Sequence, residues 1–87
     1  MRTVIDVESV PKAVRKFGRT RGAFAANGYY QCSTGHWVII ANNFGWLVDR
    51  YGAAIDRHIA THNEDVQSIL KFWASHNPQP VELHHAE

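Results

Sequence analysis

The apolar run His36–Ala41 restricts the fold of this chain more than any other segment. A strand with one solvated face alternates apolar and polar residues, whereas positions 37–41 are all apolar. We therefore predict a central β-strand that is buried on both faces. A neighbouring strand, Tyr29–Ser33, is predicted to pair with it through a turn at Thr34–Gly35, and Asn27–Gly28 is typical of a type I′ turn.

The most regular pattern lies earlier in the chain, where apolar and basic residues recur with helical spacing. Ser9 offers an N-cap and Gly18 ends the pattern, which predicts a helix between them. At about 100° per residue, one arc of this helix is apolar and the opposite arc is basic. The apolar arc contains Val10, Ala13, Val14 and Phe17, and the basic arc contains Lys12, Arg15, Lys16 and Arg19. The β-branched segment Thr3–Val7 predicts a short strand before the helix.

Residues 44–60 fit two different structures. Their apolar residues have helical spacing, but Gly45 and Gly52 would each cost about 1 kcal/mol in a helix interior. In the other structure, residues 46–50 and 54–59 are the two strands of a hairpin, and both glycines lie in turns. We favour the hairpin and keep the helix as the alternative.

A second amphipathic helix is predicted towards the end of the chain. Thr61 and Glu64 have the spacing of a capping box, and Asn63 is an alternative cap. The buried stripe of this helix is predicted to be Val66, Ile69, Leu70 and Trp73. Asn77–Pro78 stops the helix, and residues 78–87 are expected to form a flexible tail.

Together these elements predict an α+β fold. Eighty-seven residues suffice for one core, so we expect a single domain over residues 1–77, followed by the tail. The expected architecture is a two-layer sandwich. In it, an antiparallel meander of three to five short strands is covered on one face by an N-terminal and a C-terminal amphipathic helix.

Charge is unevenly distributed along the chain, although the net charge is only +1. Residues 1–30 contain six Lys or Arg against two Asp or Glu, whereas residues 31–87 contain three against six. Like charges three or four residues apart on a helix repel by a few tenths of a kcal/mol per pair. A negatively charged partner would offset that cost. We therefore predict that this basic set binds a partner: Lys12, Arg15, Lys16, Arg19 and Arg21.

Metal binding is weakly indicated by the sequence. His58 and His62 would point the same way only if both lay on one helix. Cys32 and His36 flank a turn, but no second cysteine completes the spacing typical of a zinc site. We predict no metal and no cofactor, and interpret the histidines as surface and cap residues.

Catalysis is also weakly indicated. Asp49 and Asp56 each have an arginine next to them, and we interpret them as solvated ion pairs rather than as an acid–base pair. The glycines are dispersed, so there is no glycine-rich phosphate loop. We therefore predict that the protein is not an enzyme. The lone Cys32 excludes an internal disulfide and predicts a cytoplasmic protein, and no apolar run is long enough to span a membrane.

The stretch Asp49–Asp56, followed by His62–Val66 and Trp73, resembles the second half of the small dGTPase inhibitors made by podophages that infect enterobacteria. The resemblance lies within residues 49–73, and residues 1–48 show none. It implies a functional class: small phage-encoded proteins that disable a host enzyme or defence complex by covering a surface. Anti-CRISPR proteins belong to the same class.

Three hypotheses for function follow. The first is a phage- or mobile-element-encoded binding protein that inhibits a host enzyme or defence complex that handles nucleotides or nucleic acid. Its basic face would meet an acidic or phosphate-binding surface of that host protein or nucleoprotein, with Tyr30 and Phe72 as aromatic anchors. The alternative is direct, salt-dependent binding of nucleic acid by the same basic face. The third is a homodimer formed through an apolar edge.

Overall fold

The computed structural model describes residues 3–21, 28–41, 44–59 and 65–84 of the protein. These residues form a mixed α+β fold around one six-stranded sheet, which confirms the predicted fold class. The strands are β1 (Thr3–Asp6), β2 (Tyr29–Gln31), β3 (Trp37–Ala41), β4 (Phe44–Val48), β5 (Ala54–Ile59) and β6 (Gln79–His84). The helices are α1 (Lys12–Thr20) and α2 (Val66–Leu70), with 3-10 helices at Val7–Ser9 and Lys71–His76.

The order of strands in the sheet is β1-β6-β2-β3-β4-β5. The consecutive strands β2 to β5 are antiparallel neighbours, and Ile39 of β3 lies opposite both Tyr29 and Trp46. β6 is antiparallel to β2 but parallel to β1, where Ile5 lies opposite Leu83. The first and last described strands therefore lie side by side, and β1 and β5 are the two edges of the sheet.

Residues 79–84 correct the expected flexible tail, because they form an interior strand. Val81 is 2% exposed and Leu83 is 8% exposed, and both belong to the hydrophobic core. Pro80 is tolerated because its part of β6 pairs only with β2, whereas β1 pairs with residues 81–84. With β6 included, the described residues form six strands rather than the three to five expected.

The two helices pack against opposite faces of the sheet, which corrects the expected two-layer sandwich. Trp37 and Ile39 of β3 share a core cluster with Val14 of α1. Val38, between them, shares a second cluster with Ile69 of α2. Since side chains alternate along a strand and all of these are apolar, each face of β3 needs its own cover.

The hairpin favoured for residues 44–60 is confirmed over its described part. β4 and β5 are antiparallel, and Gly52 lies in the turn between them with a φ of 82°, a conformation that favours glycine. Gly45 lies within β4 rather than in a turn. A Cβ at that position would approach the side chain of Ile69 to 2.7 Å, so the glycine allows α2 to pack closely on the sheet.

The predicted buried stripe of the closing helix is also confirmed. Ile69, Leu70 and Trp73 are buried, and Val66 packs against them. Asp65 is the observed N-cap, because its Oδ1 accepts a hydrogen bond from the backbone N of Ser68 at 2.9 Å. The helical segment ends at Asn77 in the left-handed region. The predicted capping box at 61–64 and the turn residue Asn27 lie outside the described residues.

Helix α1 extends beyond its predicted end. Gly18 is an interior residue of the helix, which ends at Thr20, and Pro11 rather than Ser9 precedes its first residue. A Cβ at Gly18 would overlap the hydroxyl of Tyr29. The glycine therefore does not end the helix but lets α1 approach β2 closely.

A side-chain hydrogen bond links the α2 side of the molecule to the edge strand β5. Nε1 of Trp73 donates to Oδ2 of Asp56 at 2.9 Å, and the backbone N of Arg57 donates to Oδ1 at 2.8 Å. The hydrogen bond from Trp73, followed by that from Arg57, lowers the pKa of Asp56 below its ordinary value. Both bonds favour the ionised carboxylate.

Replacing Val81 tests whether residues 79–84 form an interior strand. Val81→Ala should lower the free energy of unfolding by about 2 kcal/mol, because it removes two buried methyl groups from the core. Urea denaturation followed by tryptophan fluorescence measures the difference. Glu82→Ala, on the exposed side of the same strand, is the matched control and should change the value by less than about 0.5 kcal/mol. Equal effects of the two substitutions would mean that this segment is a tail.

Acid titration of stability tests the bond between Trp73 and Asp56. Because the folded-state pKa of Asp56 is lowered, its contribution is present above the unfolded-state pKa and is lost as the pH falls through the folded-state value. Asp56→Asn should therefore reduce the loss of unfolding free energy between about pH 5 and pH 2. Trp73→Phe should also reduce this loss of unfolding free energy at low pH, and Asp56→Asn should have a smaller effect in the Trp73→Phe background than in the wild-type protein. Additive effects of the two substitutions would mean that the hydrogen bond between Trp73 and Asp56 does not stabilise the fold.

Candidate anion-binding groove on helix α1

Four basic side chains of α1 lie together on its outer side. With Thr20, they line one groove of about 400 Å³: Lys12, Arg15, Lys16 and Arg19. The groove follows from the helical spacing, because Val14 and Phe17 turn towards the sheet and the basic arc is left facing outwards. The structure thus brings together four of the five basic residues that were predicted as a set.

One of the four is held in place by the backbone just before the helix. Nε of Arg15 donates a hydrogen bond to the carbonyl oxygen of Val10 at 3.1 Å, and the Arg15 side chain is half-buried. The other three side chains are exposed. The groove therefore combines one positioned guanidinium with three exposed cationic groups, and an arginine can bind a phosphate or a carboxylate with two parallel hydrogen bonds.

The groove has no internal counter-charge in the described part of the chain. None of its four cations forms an ion pair with a carboxylate of residues 3–21, 28–41, 44–59 or 65–84. On the core side of α1, the hydroxyl of Tyr29 reaches the helix at Gly18. Burial raises the pKa of Tyr29, and the positive charges of Arg19 and Arg15 oppose this in part.

Arg21 does not extend the groove as predicted. It follows the last residue of α1, and its guanidinium carbon lies 3.7 Å from the ring centroid of Phe17 and 5.6 Å from that of Trp46. Its Nη1 donates to Oγ1 of Thr20 at 3.0 Å. Counted at 100° per residue, position 21 is on the core side of the helix, so its cation covers the aromatic rings there.

The two predicted aromatic anchors are not on this face. Tyr30 is only 4% exposed and packs in the second core cluster, which contains Ile69 and lies on the same side of the sheet as α2. Its prediction as an exposed anchor is therefore wrong. It alternates with Tyr29 along β2 and therefore faces the opposite side of the sheet. Phe72 is exposed, but it stacks on His58 with ring centroids 3.9 Å apart, also on the α2 side.

An aromatic residue that the sequence patterns did not single out lies next to the groove. Tyr51, in the β4–β5 turn, is 77% exposed. It lines a second depression of about 380 Å³ that shares Lys16 and Thr20 with the basic groove and also contains Arg21. The sequence pattern that could have identified it is an aromatic residue next to an arginine in a predicted turn, a position that does not contribute to the core.

Asp49 builds the turn that presents Tyr51. Its Oδ1 accepts hydrogen bonds from the backbone N of Tyr51 at 2.9 Å and of Ala53 at 3.0 Å. Gly52 lies against α1, since a Cβ there would approach the carbonyl oxygen of Ala13 to 2.9 Å. Asp49 thus shapes the turn, and Asp56 accepts from Trp73. Among the described residues, neither carboxylate forms the ion pair with a neighbouring arginine that was expected from the sequence.

The histidines and the cysteine are arranged differently from a metal site. Oγ1 of Thr34 lies 3.0 Å from Nδ1 of His36 and 2.8 Å from Nδ1 of His76, which joins the β2–β3 turn to the end of the 3-10 helix. Cys32 is buried, and burial raises the pKa of its thiol to about 11. Within the described residues, no three His, Cys, Asp or Glu side chains are grouped as metal ligands. His62 lies outside them.

Thiol reactivity tests the buried state of Cys32. At pH 8 the native protein should react with Ellman's reagent about 100-fold more slowly, or slower still, than the protein unfolded in guanidinium, because the native thiol is both covered and protonated. The release of thionitrobenzoate measures both rates. Similar rates would mean that the thiol is accessible and available as a nucleophile or ligand.

Comparisons with known proteins leave the family of this chain open. No protein-family model, curated protein or solved structure matches it. The resemblance of residues 49–73 to podophage inhibitors therefore stays a prediction from the sequence. Among the described residues, no helix is long and apolar enough to cross a membrane, and α1 has nine residues.

Proposed function

We propose that this protein is a non-catalytic binding protein that uses the groove of α1 to bind a polyanion, and that the polyanion is nucleic acid. The observation that supports this proposal is the grouping of Lys12, Arg15, Lys16 and Arg19 around one groove without a carboxylate partner in the described residues. A set of like charges this close repels itself, and a bound chain of phosphates relieves the repulsion.

The dimensions of the groove suit a short length of phosphate backbone. Lys12 and Arg19 are separated by about 10 Å along the helix axis. The phosphates of one strand follow each other about every 3.4 Å along the axis of a duplex and are farther apart in an extended single strand, so the groove can contact two or three of them. Two guanidinium groups supply paired donors for phosphate oxygens, and two lysines supply mobile charges.

The inhibitor hypothesis uses the same face of the molecule. In that proposal, a small phage-encoded protein covers an acidic or phosphate-binding surface of a host enzyme or defence complex in the cytoplasm. Tyrosine and arginine are frequent in the energetically dominant positions of protein interfaces, and Tyr51 lies beside Arg21. We place this proposal second, because the anchors it needed, Tyr30 and Phe72, are on the other side of the sheet.

Charge reversal in the groove tests the proposed function. Fluorescence anisotropy with labelled 20-nucleotide DNA and RNA, single-stranded and duplex, should give binding that weakens with salt with a log–log slope of about −2 to −3. Lys16→Glu/Arg19→Glu should abolish binding at about 50 mM salt, because it replaces two of the four cations by anions.

The matched control reverses two charges outside the groove. Arg57→Glu/Lys71→Glu gives the same change in net charge, on β5 and on the 3-10 helix after α2, and should keep most of the affinity. An equal loss of affinity in both variants would mean that net charge, rather than the groove, determines binding. If the wild-type protein binds none of the four probes at low salt, the partner is not nucleic acid and the inhibitor proposal takes its place.

A further inference from the structure

Tyr51 is the most exposed large apolar side chain among the described residues. It is 77% exposed, compared with 61% for Val4 and 59% for Phe72. An aromatic ring in water contributes nothing to the core, and its position in the turn does not depend on the ring, since the hydrogen bonds of the turn are made by the backbone and Asp49. The exposed ring is therefore available for contact with a ligand.

The turn that presents Tyr51 is held from two directions. The carboxylate of Asp49 accepts hydrogen bonds from two backbone N–H groups of the turn, and the backbone N of Gly52 donates to the carbonyl oxygen of Asp49 at 3.0 Å. On the other side, Gly52 packs against Ala13 of α1. The backbone beneath the tyrosine is thus fixed relative to the groove, which reduces the entropy lost when the ring binds a ligand.

Three cations lie near the ring or line the same depression. The guanidinium carbon of Arg50 is 5.7 Å from the centroid of Tyr51. Arg21 and Lys16 line the same depression as Tyr51, and Lys16 also lines the basic groove. The basic groove and the depression that Tyr51 lines therefore adjoin each other at Lys16 and Thr20.

We propose that Tyr51 stacks on a nucleobase and that the ligand of this face is single-stranded nucleic acid. The inference rests on the proposed function and narrows it to one class of ligand. Exposed aromatic rings beside a cationic groove are the usual means of binding single strands, because every base has a stacking surface. In a duplex the bases are stacked on one another, and the ring of Tyr51 has no base to contact.

Substitution of Tyr51 tests the stacking. Tyr51→Ala should weaken the binding of single-stranded DNA and RNA by about 5- to 150-fold, which corresponds to the loss of one stacked base. The salt slope should stay unchanged, because no charge is removed. Tyr51→Phe keeps the ring and should bind as the wild-type protein does. Phe72→Ala, at an exposed aromatic on the opposite side of the sheet, is the matched control and should have no effect.

An abasic strand separates stacking from a change in the turn. An oligonucleotide of the same length that lacks bases has the same phosphates but nothing to stack on Tyr51. Wild type and Tyr51→Ala should bind this strand equally, and both should bind the duplex equally. If Tyr51→Ala weakens binding to the abasic strand as much as to the normal one, the ring does not stack and the inference is wrong.

Failure of this inference is distinguishable from failure of the proposed function. If Lys16→Glu/Arg19→Glu abolishes binding but Tyr51→Ala leaves single-strand affinity unchanged, phosphate binding by the groove stands and base stacking is overturned. If the wild-type protein binds no nucleic acid at all, both are overturned. Preferential binding of the duplex would overturn the choice of single strands alone.

Discussion

Burial of β3 on both faces is the constraint on which the rest of the structure depends. Trp37 and Ile39 must be covered on one side and Val38 on the other, and a single layer of helices cannot do both. Helix α1 supplies one cover and α2, with the 3-10 helix after it, supplies the other. The basic arc of α1 faces outwards as a direct consequence, since its apolar arc is used against the sheet.

Two glycines set the distance between α1 and the rest of the molecule. Gly18 lets the helix approach Tyr29, and Gly52 lets the β4–β5 turn approach Ala13. These contacts bring Tyr51 next to the basic groove although the two are more than 30 residues apart in the chain. At either position the methyl group of an alanine would push α1 away from its neighbour. The geometry of the basic groove and of the adjoining depression therefore depends on two residues that have no side chain.

Local patterns in the sequence predicted most elements, but not their arrangement. The helical spacing around Val14, the apolar run at β3 and the stripe ending at Trp73 are each visible in a short window, and all three elements are in the structure. β6 was missed because Pro80 and its polar neighbours are typical of a loop, and only the distant strands β1 and β2 make it a strand. Tyr51 was missed for the same reason. The residues next to it in the fold belong to α1, which is distant in the sequence.

The place of β6 in the sheet also affects how the chain acquires its structure on the ribosome. Strands β2 to β5 can pair in the order in which they are synthesised, whereas β1 has no neighbour until residues 81–84 have left the exit tunnel. Until then two strand edges that β6 covers in the complete sheet stay unpaired, one on β1 and one on β2. Translation must therefore pass residue 84 before the sheet can be completed, and unpaired strand edges of this kind promote aggregation of incomplete chains.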